Sequence, residues 1–464
     1  MPTSPIYQSI NPATAEVLNQ YPMILDADIE AIIAKSVGAF RAWSDLTIAQ
    51  RAEKVENLAR LFEYKAKDIA AVITKEMGKP LAESYEEVAF CADIFRYYAD
   101  NGEKLAADQK VNEDDEVISV VQRRPVGPLL GIMPWNYPFY QIARFASPNL
   151  VLGNTLVLKH AESCPESALL MQSLMDEAGI PEGVYQNVFA NHEQISRFIA
   201  HPEIQGISLT GSERAGAAIA EQAGKNLKKA VLELGGSDPY VILSTEDVKT
   251  AAADAVAIRL ENTGQACNSN KRIIVMDDIY DDFVAEVTRL ISELKPADPA
   301  AEEDNSYAPL SSEKAAENLL RQLEDAKAAG ATIHIGGKRE NLPGFYVQPT
   351  VITDIPVGSD IYYEEFFGPV VNIFKISSDA EALDLANDTQ YGLGSAVFAT
   401  DQERAQRFAE SLNAGMVGAN AAPEEIAEVP FGGIKRSGFG RELGPVGMDE
   451  FVNKRLMTIK KSVK

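Results

Sequence analysis

The stretch Pro128-Leu129-Leu130-Gly131-Ile132-Met133-Pro134-Trp135-Asn136-Tyr137-Pro138 marks where the chain changes character. Residues 129–133 are an apolar run of strand length, and two prolines bracket the Trp-Asn-Tyr turn that follows. The same pattern then repeats. Residues 155–158 read as a strand, 165–178 as a helix ended by Gly179, and 207–209 as a strand followed by Thr210-Gly211-Ser212 and a small-residue helix. Val231-Leu232-Glu233-Leu234 is a strand ending at Gly235-Gly236. Short apolar strands alternating with helices predict a parallel α/β sheet. A second series follows Cys267, with strands near 272–275, 368–376 and 395–398.

Upstream of Pro128 the period is helical. Apolar residues spaced by three and four predict helices over 28–42, 49–77 and roughly 81–102, with Gly78-Lys79-Pro80 ending the second. Residues 117–121 read as a strand after an acidic turn. Residues 455–460 read as a short terminal strand with no evident partner, one that a second subunit could supply.

At 464 residues the chain exceeds one compact core, so two or three domains are expected. Its 43 basic and 68 acidic residues leave a formal charge of −25. That surface repels phosphate backbones, which speaks against nucleic acid and anionic membranes as partners. Cys91, Cys164 and Cys267 are too few and too scattered for a disulfide framework, and fit a reducing, cytoplasmic setting. No signal peptide or membrane-spanning run is apparent. The four histidines and three cysteines lack metal-ligand spacing, so no metal is expected.

Several residues sit where chemistry is done. Cys267 follows Gly264-Gln265-Ala266 on a turn after a helical run; it is either a buried small hydrophobe or a presented nucleophile. Asn136 is either a turn residue or a rigidly held oxyanion donor. Glu233, at the carboxyl end of an apolar strand, is either a capping carboxylate or a general base. Lys159 and Glu162 follow a strand and form either a surface pair or a ribose clamp. Gly211 and Ser212 open a helix, a natural phosphate seat, but no Gly-x-Gly-x-x-Gly is present.

Taken together these segments resemble the aldehyde dehydrogenase superfamily over nearly the whole chain. The resemblance rests on Pro134-Trp135-Asn136-Tyr137-Pro138, Lys159-His160-Ala161-Glu162, Thr210-Gly211-Ser212 with Gly216, and Glu233-Leu234-Gly235-Gly236. It continues in order through Asn262-Thr263-Gly264-Gln265-Ala266-Cys267, Glu364-Glu365-Phe366-Phe367-Gly368-Pro369 and Pro430-Phe431-Gly432-Gly433-Ile434-Lys435-Arg436-Ser437-Gly438. It implies a fold with a Rossmann-like NAD domain (1–106 and 125–235), a catalytic domain (236–436) and a small β oligomerisation element (107–124 and 437–464). A homodimer or homotetramer is expected.

The same resemblance implies that Cys267 is the nucleophile, Asn136 the oxyanion donor and Glu233 the base. It places the cofactor against Trp135, Lys159, Glu162, Gly211, Ser212, Leu234, Glu365 and Phe367. The Glu162 carboxylate favours ribose hydroxyls over a 2′-phosphate, so NAD is expected. The substrate is expected to be a small aldehyde contacting Arg144 and Phe431. The chain looks most like the shorter bacterial succinate-semialdehyde dehydrogenases, in which an arginine at the place of Arg144 faces the substrate carboxylate. One departure stands out: where many such enzymes carry a second arginine upstream of the cysteine, this chain has Glu261. The alternatives are a general aliphatic or aromatic aldehyde dehydrogenase with Arg144 structural, and a crystallin-like protein without activity.

Overall fold

The structure, a computed structural model, describes residues 6–301 and 303–461. Two largely parallel sheets organise it. The first runs, in spatial order, Gly438–Phe439, Lys229–Glu233, Gly206–Thr210, Pro128–Ile132, Thr155–Lys159 and Tyr185–Asn187. The second runs Thr332–Ile335, Thr350–Thr353, Val370–Ile376, Arg272–Met276, Pro239–Ile242, Ala396–Phe398 and Gly418–Ala419. Each has one antiparallel edge strand, Gly438–Phe439 and Thr332–Ile335 respectively. The central strands are buried along their length, as helices on both faces require. Both parallel α/β series read in the sequence are therefore present.

The helical first third differs in one respect. The single helix expected over 49–77 is two, Ile48–Tyr64 and Ala66–Met77. Lys65 breaks it, with φ −102° and ψ 17°. Both halves bury apolar stripes, Val55, Leu58 and Phe62 in one and Ile69 and Ile73 in the other, so the periodicity carries across the break.

The terminal strand is Val452–Lys460, and its partner lies in the same chain. It pairs antiparallel along its length with Val117–Pro125, which pairs in turn with Gln109–Glu113. Gly438–Phe439, expected to belong to this small element, instead joins the first sheet. Gly438 has φ 114°, and a Cβ there would lie 1.9 Å from the Leu232 carbonyl oxygen, so only glycine lets the chain run this close to the strand of Glu233.

The first sheet positions the chemistry. Asn136, Lys159, Ser212 and Glu233 all stand at or just beyond the carboxyl ends of its parallel strands. In open α/β sheets that crevice is where ligands bind.

Candidate active site

Cys267 sits on a backbone that is costly to build. Asn262, Thr263 and Gly264 have φ of 48°, 55° and 73° in succession, the left-handed region that disfavours side chains. A Cβ on Gly264 would stand 2.3 Å from the Gly368 carbonyl oxygen. Two buried cations hold the loop. Arg259 donates to the carbonyls of Val370 (2.7 Å), Gly368 (2.7 Å), Phe366 (2.8 Å) and Gly264 (3.2 Å), and to Ser269 Oγ (3.0 Å). Lys271 Nζ donates to the carbonyls of Ala266 (2.6 Å) and Cys267 (2.7 Å), and pairs with Glu365 at 3.0 Å. Neither cation was singled out from sequence: a lysine or arginine there reads as surface charge until the fold closes over it.

Asn136 is 4% exposed and its Nδ2 donates to the Gln265 carbonyl at 3.0 Å, while Asn262 Nδ2 donates to the Asn136 carbonyl at 2.9 Å. The Asn136 amide and the Cys267 loop are thus one hydrogen-bonded unit. His160 braces the same turn: its Nε2 donates to the Pro138 carbonyl at 2.9 Å, and burial lowers its pKa to about 4, so it stays neutral.

Glu233 is 2% exposed, and neither carboxyl oxygen has a hydrogen-bond partner among the described residues. Burial drives its pKa well above the carboxylate range, against the pull of Arg144. Gly236, just past Glu233, packs on Cys267: a Cβ there would lie 2.4 Å from the Cys267 carbonyl oxygen. The half-buried Cys267 thiol is itself pushed up to about 12 by burial, with the charges of Arg144 and Lys271 working the other way.

The residues expected to hold the cofactor line two clefts, except Glu162, which lines neither. Trp135, Asn136, Gly211, Ser212, Leu234, Glu365, Phe367 and Cys267 line one. Ser212 Oγ accepts from Ala215 N at 3.3 Å and caps the helix Glu213–Lys225, whose N-terminus opens beside this cleft. Lys159 lines the other with apolar Ile132, Ile195, Leu209 and Ile219, a slot suited to a flat base. Glu162 extends from the end of that strand with its side chain more than half exposed, 3.7 Å from Lys159. These residues fit a dinucleotide: an apolar slot, a helix N-terminus for phosphates, and carboxylates for ribose hydroxyls. A cavity of about 390 Å³ beside Tyr240, Asp247 and Phe398 holds none of these groups.

Cys267 also lines a second cavity, of about 160 Å³, with Phe90, Tyr137, Tyr140, Phe431 and five glutamates: Glu83, Glu86, Glu87, Glu261 and Glu425. Phe431, expected to contact the substrate, lines this cavity. Arg144 does not. It is wholly buried, ion-paired with Glu442, and donates to Thr210 Oγ1 (3.2 Å) and Tyr140 Oη (3.3 Å). Its guanidinium lies 4.5 Å from the Phe431 ring and 4.9 Å from that of Tyr140. Arg144, expected to face a substrate carboxylate, faces Glu442 in this arrangement. A buried guanidinium needs a counter-charge, and Glu442 supplies it from inside the chain.

A thiol on a braced loop, an amide beside it and a buried unpaired carboxyl thus meet near a cleft that carries a helix N-terminus. The chain belongs to the aldehyde dehydrogenase family, whose pattern it matches over residues 2–457. It is 47% identical over 451 residues to the succinate-semialdehyde dehydrogenase [NADP(+)] of Deinococcus radiodurans, spanning 97% of this chain and 94% of that one. Among solved structures it resembles succinic semialdehyde dehydrogenase from Streptococcus pyogenes in complex with NADP+, at TM-score 0.95 and 39% identity over 98% of this chain and 100% of that one. Betaine aldehyde dehydrogenase from Staphylococcus aureus in complex with NAD+ aligns at TM-score 0.94 and 31% identity, over 98% and 91%.

Proposed function

We propose that this chain oxidises an aldehyde to a carboxylate through a thiohemiacetal and then a thioester on Cys267, with NAD as oxidant. The observation that supports this most is the position of Cys267, which lines both the dinucleotide cleft and the second cavity. The Cys267 thiol gives its proton to solvent water, and the thiolate adds to the carbonyl carbon. The oxyanion accepts from Asn136 Nδ2, released from the Gln265 carbonyl, and from the Cys267 backbone N–H. Bound nicotinamide supplies the hydride acceptor. Glu233, once deprotonated, takes a proton from the water that hydrolyses the thioester, and Cys267 leaves as thiolate.

NAD is favoured by the Glu162 carboxylate, which opposes a 2′-phosphate beside Lys159. The relatives named above for succinate semialdehyde are named with NADP(+), so the choice of dinucleotide is a sharp test. Kinship supports succinate semialdehyde as substrate; the closed Arg144–Glu442 pair and Glu261 do not. The outer edge of Val452–Lys460, with Leu456 and Ile459 exposed, supports strand pairing between copies in a homodimer or homotetramer.

Initial rates of nicotinamide reduction with uncharged butanal, for the wild type and Cys267→Ala, test the reaction. The wild type turns over with a higher kcat/KM for NAD than for NADP, and the variant is inactive. Turnover by Cys267→Ala would overturn the assignment of the nucleophile; preference for NADP would overturn that of the cofactor.

A further inference from the structure

We infer that Lys271 is a positioning residue for the proposed reaction: its buried ammonium ties the loop of Cys267 to Glu365 in the dinucleotide cleft and holds a positive charge where the thiolate forms. This rests on the aldehyde-oxidation reading above and deepens it by one residue.

Lys271 is 1% exposed. An ammonium has three donors and no acceptor. All three have partners here: Nζ donates to the carbonyls of Ala266 (2.6 Å) and Cys267 (2.7 Å) and pairs with Glu365 Oε1 at 3.0 Å. The same Glu365 oxygen accepts from Gly236 N at 3.1 Å, just past Glu233. Glu365 Oε2 stands close over the neighbouring backbone, where a Cβ on Gly235 would lie 2.4 Å from it. One buried charge pair therefore joins the loop of the nucleophile, the end of the Glu233 strand and the cleft lined by Ser212, Leu234 and Phe367.

Support of the loop does not by itself call for this arrangement. Arg259 already braces the loop, through four carbonyls and a hydroxyl. Lys271 adds a bond to the carbonyl of Cys267 itself and an acid partner in the dinucleotide cleft. Its charge also reaches the thiol. Arg144 and Lys271 favour the thiolate, while Glu365 and Glu233 oppose it. Arg144 is balanced by Glu442, and burial holds the Glu233 carboxyl protonated. Tyr140 and the five glutamates of the second cavity stand on the other side of Cys267. Lys271 also faces Asp238, whose carboxyl burial raises to about 7 against the pull of the ammonium. With Arg144 and Glu233 each offset, the balance at the thiol is set by Lys271 against Glu365.

The test is the rate at which iodoacetamide alkylates Cys267 in the full chain without nucleotide, at neutral and mildly alkaline pH, with the site confirmed by peptide mapping. Below the pKa of the thiol, that rate follows the thiolate fraction. Lys271→Met removes a positive charge, raises the thiol pKa by about one unit and slows alkylation about tenfold at each pH. Glu365→Gln removes the opposing negative charge and leaves Lys271 on the Cys267 carbonyl, so alkylation becomes roughly threefold faster. A loop merely loosened by either change would shift both rates in the same direction. Rates that move together, or a Lys271→Met rate equal to that of the wild type, would overturn the inference. Where Lys271→Met does not fold, Glu365→Gln decides alone: acceleration supports the inference, and an unchanged or slower rate overturns it. No turnover is read, so a wild type inactive on butanal with NAD would overturn the aldehyde-oxidation reading and leave the alkylation result to judge Lys271.

Discussion

The two walls that meet at Cys267 are built differently. On the dinucleotide side, Trp135, Gly211, Ser212, Leu234, Glu365 and Phe367 come from short motifs, and the fold gathers them in one cleft. On the substrate side, Glu83, Glu261 and Glu425 come from a helix, a loop and a distant segment that carry no shared motif. The difference follows from what each wall must do. A dinucleotide makes the same demands in every relative, whereas an aldehyde tail is read by whatever charge and shape the mouth presents. Kinship therefore speaks clearly about the reaction and only indirectly about the substrate.

Arg144 marks the border between the walls, and replacing it breaks the comparison most severely. If its work is to balance Glu442, Arg144→Ala leaves a buried charge unpaired and costs about 3–5 kcal/mol of stability. Chemical denaturation measures this; a stable variant altered only in KM for anionic aldehydes would restore Arg144 as a substrate contact. Next comes Asn136→Ala. Loss of one oxyanion donor costs about 2.7–4 kcal/mol, on the order of a hundredfold or more in kcat. Single-turnover rates should fall by that amount with charged and uncharged aldehydes alike, because the donor serves the reacting end only.

A smaller effect belongs to the dinucleotide wall. Glu162→Ser removes the carboxylate beside Lys159 and should move the NAD to NADP ratio of kcat/KM toward NADP by roughly tenfold. An unchanged ratio would place cofactor choice elsewhere in the cleft. The smallest effect concerns the acids of the mouth. Burial, opposed by the Asn262 N–H and Lys79, raises the Glu83 carboxyl from its ordinary value to about 7. Its proton is held more tightly in the folded chain than in the unfolded one. Its contribution to stability is present below the ordinary carboxylate range and is lost as pH rises through about 7. Melting temperature followed over that window should fall less steeply for Glu83→Gln than for the wild type.

Much of this was legible in the sequence, for reasons particular residues make plain. Asn136, Glu233 and Cys267 could be singled out because they are residue types that the proposed chemistry needs, in motifs tied to strand ends and turns. Both α/β series were readable because buried parallel strands are continuous apolar runs. The break at Lys65 was not, since the buried stripe continues across it. Nor was the burial of Arg144, because its partner Glu442 arrives from the far end of the chain. Glu261 stood out alone as a departure; its companions Glu83 and Glu425 gain meaning only when the fold sets them around one cavity. Lys271 and Arg259 were hidden for the same reason: what they bind is backbone carbonyl, which no motif records.

The proposed reaction turns on Cys267 carrying the acyl group that Glu233 releases. The most direct measurement is the intact mass of Glu233→Gln after mixing with NAD and butanal, followed by peptide mapping. One butyryl group per chain on Cys267, formed with stoichiometric NADH and hydrolysed slowly, is the predicted result. Rapid steady turnover with no adduct, or an acyl group on another residue, would contradict it.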